Sequence, residues 1–240
     1  MVMPLYDDNP FRLPHRPIVT WSLIGVNLLV FLAFGTDSGE VDVDFGLIPA
    51  ALNGDGRVLG ALPPIATLVS YMFLHADIVH ILGNMVFLWV FGDNVEEAMG
   101  RVRFLAFYLL CGIVGGLAFY ASGVHSQTPL IGASGSIAGV VVAYAMLRPC
   151  AKVTALVFAI PMRISAYWII GVFVLMQFIS LASASESDVA YWCHVGGMAA
   201  ALVLFPLMRH RDVVLFQCIR TPRQPLVADA AVVPGPWTAR

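Results

Sequence analysis

Four side chains able to do chemistry stand in stretches where polar groups are costly. His80 and Asn84 lie in HADIVHILGNMVFLW (75–89), Ser134 lies in GASGSIAGVVVAYAML (132–147), and His194 lies in YWCHVGGMAAALVLF (191–205). An imidazole can take the proton of a serine hydroxyl and later return it to a leaving amine. Side-chain donors and the free backbone N–H groups at a helix start can hold the resulting oxyanion. His80 and Asn84 are four residues apart, so a helix presents both on one face. Other chemistries are less well provided for. A metal would rest on His80 and His194, with His75 as a third candidate, and there is no HExxH and no cysteine cluster to complete the ligand set. Each residue also has a structural reading. Ser134 with Ala138, and Gly135 with Gly139, form small-xxx-small pairs that let helices approach closely. Asn84 could make an interhelical hydrogen bond, and His75 reads as a loop or packing residue.

The elements that would carry these residues follow from composition. Of the 240 residues 59% are hydrophobic and only 12% are charged, with a mean hydropathy of +0.83. That charge is about half of the ~25% usual in soluble domains, too little to cover a water-facing surface. The chain reads as all-α, a polytopic membrane protein with six spans at 17–35, 77–92, 102–123, 133–147, 165–182 and 190–208. Asp77 is positioned to cap the second. The first span follows Arg12 and Arg16 like a signal peptide. Its length and the lack of a cleavage site make it a retained helix. The stretch 153–164, broken by Pro161 and Arg163, reads as an interfacial loop. Cys111, Cys150, Cys193 and Cys218 show no metal spacing and read as small hydrophobes without disulfides. A net charge of −2 gives no case for nucleic acid.

Orientation follows from the positive residues. With the N-terminus inside, Arg12, Arg16, Arg101, Arg103, Arg148, Lys152, Arg163, Arg209, Arg211, Arg220, Arg223 and Arg240 all lie inside, and only Arg57 lies outside. Both termini are therefore expected in the cytoplasm. Residues 1–16 form an inner segment, 17–208 the membrane domain, and 209–240 a tail expected to be largely disordered. Spans two, four and six then run inward, which puts His80, Asn84, Ser134 and His194 in the outer half. Ser134 to Leu147 rises only ~21 Å at ~1.5 Å per residue. Anchored at the inner face of a ~30 Å core, Ser134 begins ~9 Å below the outer one. Loop 124–133 must dip into the membrane, which is tolerated only where protein buries it or water reaches it.

These residues carry a family resemblance. The sequence resembles the rhomboid intramembrane serine proteases over about residues 15–208. The matching pieces are GASG (132–135), HADIVHILGNM (75–85), and HVGG (194–197) followed by Ala201. FGDNVEEAMGRVRFLAFYLL (91–110) supports it, with its acidic-xxx-Gly step from Glu96 to Gly100. The resemblance implies a six-transmembrane-helix bundle with Ser134 as nucleophile and His194 as base. The backbone N–H of Ser134, with His80 and Asn84, would form the oxyanion hole. Gly197 and Ala201 would let span six close on span four, and Glu96 would belong to a structural network. Ala138 stands where some members place an aromatic ring against the histidine. Cys193 stands where alanine is usual, with little effect expected.

The implied activity is endopeptidase cleavage of single-span membrane proteins near the outer face, without cofactor or metal. The implied setting is a lipid bilayer, with a bacterial-type plasma membrane expected. Span five would act as a lateral gate, capped by SASESD (183–188). Two rivals stay open. One is an inactive relative that binds and escorts membrane helices, though such a protein is expected to lack part of the dyad. The other is a small transporter or channel with a histidine relay, which would need polar residues continuing into the apolar inner halves of the spans.

Overall fold

The computed structural model describes residues 2–8, 16–35, 39–55, 60–158, 160–183 and 190–218. Arg12, Arg57, the cap loop from 184 to 189, and the tail from 219 onward lie outside the described residues. Within them the chain is mostly helical. Long helices are α1 (Ile18–Phe34), α5 (Ile78–Met99), α6 (Arg101–Ser122), α7 (Ser134–Leu147), α8 (Ala166–Ser183) and α9 (Ala190–Met208). Short helices α2 (Gly39–Phe45), α3 (Pro49–Asn53) and α4 (Thr67–Ser70) lie between α1 and α5, with 3₁₀ turns flanking α4. Three helices, α5, α6 and α9, are long and apolar enough to cross a membrane. Helices α1, α7 and α8 are apolar but shorter or less uniform.

Helix α7 is the axis of the bundle. Twelve of its fourteen residues are buried, all but Ser134 and Ala145. A helix apolar on every side has to be surrounded, and α5, α6, α8 and α9 all pack on it. Phe91 of α5 stacks obliquely on Tyr144 of α7 at 4.8 Å, and Phe107 of α6 meets Phe205 of α9 edge-on at 6.3 Å. The outward faces are apolar too: Leu32 is 78% exposed and Leu207 76%. Large exposed apolar surfaces require a partner, and helices this apolar fit a lipid bilayer.

The helix junctions explain themselves locally. Asp77 caps α5 by accepting from the His80 N–H at 2.8 Å. Gly100, at φ +77°, ends α5 by donating to the Glu96 carbonyl and lets α6 start at the next residue. The Glu96 carboxylate is fully buried. It accepts from the Thr20 N–H and hydroxyl, both at 2.8 Å, and from the Val19 N–H at 3.2 Å. It thus satisfies donors that the first turn of α1 would leave orphaned.

The bundle end opposite Ser134 departs from the all-α expectation. Residues 153–164 are not an irregular loop. Strands β2 (Lys152–Val157) and β3 (Ile160–Ser165) form a hairpin, and β1 (Val2–Asp7) pairs antiparallel on β2. Val153, Thr154, Val157, Ile160 and Ile164 favour a pleated, half-buried surface. Pro161 is tolerated because β3 is an edge strand, and Pro4 sits beside a register shift in the other edge. Asp7 then accepts from the Tyr144 hydroxyl at 2.6 Å and from Asn94 Nδ2 at 3.1 Å, which ties the sheet to α5 and α7.

One further expectation, that the cysteines form no disulfide, is corrected at this end. The start of the tail is ordered against the helices: His210 N–H donates to the Ala98 carbonyl, and Phe216 N–H to that of Met146. That return brings Cys218 to Cys150, and the two form a disulfide with Cα atoms 4.9 Å apart. They lie 68 positions apart in sequence, so no local spacing signals the pair. Cys111 and Cys193 are free and buried, as expected of small hydrophobes.

Candidate active site

Ser134 is the first residue of α7, and the turn before it is built to place it there. Gly132 has φ +117°, a conformation that L side chains rarely adopt. A Cβ at Gly132 would also fall 2.7 Å from His80 Nε2. Loop 124–133 is held against the rest of the protein by backbone hydrogen bonds. Leu130 and Leu47 exchange both backbone hydrogen bonds, and Gly132 N–H donates to the Tyr71 carbonyl at 2.9 Å. Tyr71 is fully buried and its hydroxyl donates to the Gly112 carbonyl of α6 at 2.7 Å. Neither Leu47 nor Tyr71 stood out in the sequence, because an apolar loop residue carries no sign of its distant partner.

His194 lies in the second turn of α9, and its Nε2 is 2.7 Å from Ser134 Oγ. Both residues are partly exposed. This contact depends on how closely α7 and α9 approach. A Cβ at Gly197 would lie 2.0 Å from the Gly135 carbonyl oxygen, and one at Gly139 would lie 2.7 Å from Cys111 Sγ and 3.1 Å from the Gly197 carbonyl oxygen. Ala201, one turn further along α9, is fully buried in the same core. Cys193 fills the seam, its sulfur 3.4 Å from the Tyr71 hydroxyl.

His80 and Asn84 follow each other along one face of α5. The His80 ring is half-buried beside Gly132 and meets His75 edge-on at 5.0 Å. Asn84 is buried, and its Nδ2 has no hydrogen-bond partner among the described residues. A buried donor left unpaired is rare and asks for a reason. His75, in the loop before α5, is 3% exposed, with neither ring nitrogen hydrogen-bonded to another side chain among the described residues. Burial, with His80 nearby, pushes it down to about 4. That fits the packing role read from the sequence.

The ring of His194 finds its support where the sequence reading did not look. Ala138 is buried but offers no ring. Instead Tyr191 stands perpendicular to the imidazole at 6.1 Å, and Gln177 Oε1 of α8 lies 2.7 Å from His194 Nδ1. Gln177 and Asn27 of α1 are further buried amides within the apolar helices. The available signal was an amide in an otherwise apolar run, LMQFISL. Among the described residues no group of three or more His, Cys, Asp or Glu side chains could hold a metal.

Comparison with known proteins gives a single direction. The rhomboid domain family matches residues 64–211. Rhomboid protease GluP of Bacillus subtilis is 34% identical over 128 residues, covering 52% of this chain and 23% of that protein. RHOMBOID-like protein 12, mitochondrial, of Arabidopsis thaliana is 29% identical over 162 residues, covering 60% of this chain and 46% of that protein. Rhomboid protein 1, mitochondrial, of Saccharomyces cerevisiae is 30% identical over 167 residues, covering 65% and 47%. The chain thus spans from about a quarter to about half the length of these relatives, which are bacterial and mitochondrial alike. The family match covers more than half of the chain and takes in α5, α6, α7 and α9 with every residue of the site, and so this integral membrane protein belongs to the rhomboid family.

Proposed function

We propose that the protein is an intramembrane serine endopeptidase that cuts single-span membrane proteins near the outer side of the membrane. The observation that carries this reading is the 2.7 Å contact between Ser134 Oγ and His194 Nε2. In the proposed mechanism His194 Nε2 accepts the Ser134 proton as Oγ attacks the scissile carbonyl. The oxyanion is held by the Ser134 N–H, by His80 and by Asn84. Two features support that hole: Ala133, the N-cap of α7, provides no side-chain cap, and Asn84 Nδ2 has no hydrogen-bond partner among the described residues. The protonated His194 then donates to the leaving amine, and water attacking the acyl-enzyme through the same base restores the serine.

The topology proposed is six spans, α1 and α5 to α9, with both termini inside, and with domain limits of 1–16, 17–208 and 209–240. The described basic residues support it. Arg16, Arg101, Arg103, Arg148, Lys152, Arg163, Arg209 and Arg211 all lie at or beside the helix ends far from Ser134. The first ten residues of the tail belong structurally with the bundle. A substrate helix must unwind to expose its amides, and α8 is the proposed side opening because its outer face is apolar and exposed at Val172, Leu175 and Phe178. Bacterial plasma membrane is the proposed location. Fractionation of the source cells, with a mitochondrial fraction where one exists, decides it.

The test is cleavage of a labelled single-span substrate in liposomes by wild type, Ser134→Ala and His194→Ala. Cleavage by wild type alone is expected. Wild type that captures the substrate without cutting it would point to the escort reading, and cleavage surviving in Ser134→Ala would eliminate the serine mechanism.

A further inference from the structure

The imidazole of a general base must present its unprotonated nitrogen to the nucleophile. Which nitrogen that is depends on what the other one bonds. In this protein the other nitrogen, His194 Nδ1, faces the side-chain oxygen of Gln177 at 2.7 Å. Gln177 is 8% exposed and comes from α8, a different helix from either member of the dyad.

The orientation of the amide is fixed by its other end. Gln177 Nε2 lies 3.4 Å from the Phe173 carbonyl oxygen, one turn back on α8. A carbonyl oxygen only accepts, so the NH₂ must point to it and Oε1 must point to His194. Turned over, the amide would set two oxygens against each other. It would also donate to Nδ1, and Nε2 would then carry the proton and could not act as a base. As placed, Oε1 accepts from Nδ1–H, which leaves the Nε2 lone pair for Ser134. Among the described residues, His80 across the site on α5 and Cys193 and Tyr191 on α9 are titratable groups near His194. Among the described residues, the hydrogen bond at Nδ1 is the one with Gln177 Oε1.

We propose that Gln177 is a positioning residue for the dyad, fixing the His194 tautomer and ring plane through the Oε1···H–Nδ1 bond. This rests on the proposed protease reading, in which His194 is the base. It also accounts for Ala138: the ring is held by an amide at its edge, so no aromatic face is needed. Because the amide rides on α8, it reaches His194 only while that helix lies against the bundle.

The test compares wild type with Gln177→Met, which keeps the shape and removes the acceptor, and with Gln177→Glu, which offers a stronger one. In Gln177→Met, kcat is expected to fall about 3–10-fold, as for losing one hydrogen bond, with KM nearly unchanged. In Gln177→Glu the carboxylate favours the imidazolium, so the acid limb of the kcat/KM profile moves to higher pH. A readout independent of turnover is ¹⁵N-histidine NMR in micelles, where wild-type His194 should be protonated at Nδ1 and the Gln177→Met ring should populate both tautomers. Wild-type kcat, pH profile and tautomer in Gln177→Met would overturn the proposal and leave the protease reading intact. Wild-type protein whose Ser134 neither cleaves substrate nor reacts with a fluorophosphonate would overturn both.

Discussion

Gly197→Ala is the sharpest mechanical perturbation available. The new methyl carbon would sit 2.0 Å from the Gly135 carbonyl oxygen, and the neighbour is backbone, which cannot rotate away. An ordinary carbon–oxygen contact needs a little over 3 Å, so α9 must retreat from α7 by roughly 1 Å at that level. His194 is three residues before Gly197, and Ser134 is adjacent to Gly135, so the retreat falls on the dyad. A 2.7 Å contact lengthened by that amount leaves the range of a hydrogen bond. Misplacement of ~1 Å at reacting groups can reduce turnover by ~100-fold. The overpacking itself destabilises by roughly 1–3 kcal/mol, offset in part by about 1 kcal/mol of helix propensity. The assay is substrate cleavage in liposomes, with thermal melting in detergent run alongside. Gly25→Ala is the control, since nothing lies within 4 Å of its added carbon. Expected is a loss of about 100-fold in kcat/KM for Gly197→Ala, with a folded protein, and no change for Gly25→Ala. A folded Gly197→Ala enzyme cutting at the wild-type rate would refute the claim that this close approach sets the dyad.

Other expectations follow from the same geometry. Asn84→Ala should slow turnover by ~10–1000-fold with little change in melting, as for losing one oxyanion donor, and kinetics with one labelled substrate measures it. Glu96→Ala removes three hydrogen bonds at the start of α1. It should destabilise the protein by ~2–4 kcal/mol, read by chemical or thermal unfolding in detergent, while enzyme that stays folded keeps its kcat. His75 has a depressed pKa in the folded state, so its contribution to stability is fully present above about pH 6.5 and is lost as the pH falls toward about 4. Melting temperature should drop over that window in wild type and drop less in His75→Phe. Parallel curves would assign the acid sensitivity elsewhere.

The legible and illegible parts of the fold divide by range. Asp77 and the small-residue turn at 132–135 announce helix starts within a few residues, and α5 and α7 begin where those signals put them. Ser134 and His194 were legible as a pair because polar groups in apolar helices are conspicuous. The sheet was not, since β2 is completed by β1, and Val2 pairs with Val157 far along the chain. The return of residues 209–218 and the Cys150–Cys218 bond were hidden for the same reason. Gln177 is a different case. Its amide was visible in the sequence, but only the packing of α8 against α9 shows that it faces an imidazole.

Fluorophosphonate labelling of the full chain in liposomes, with the adduct mapped by mass spectrometry, tests the central claim most directly. The expected result is a single serine adduct at Ser134 that is lost in Ser134→Ala and strongly slowed in His194→Ala. An adduct on another serine, or equal labelling of Ser134 with and without the His194 imidazole, would contradict it.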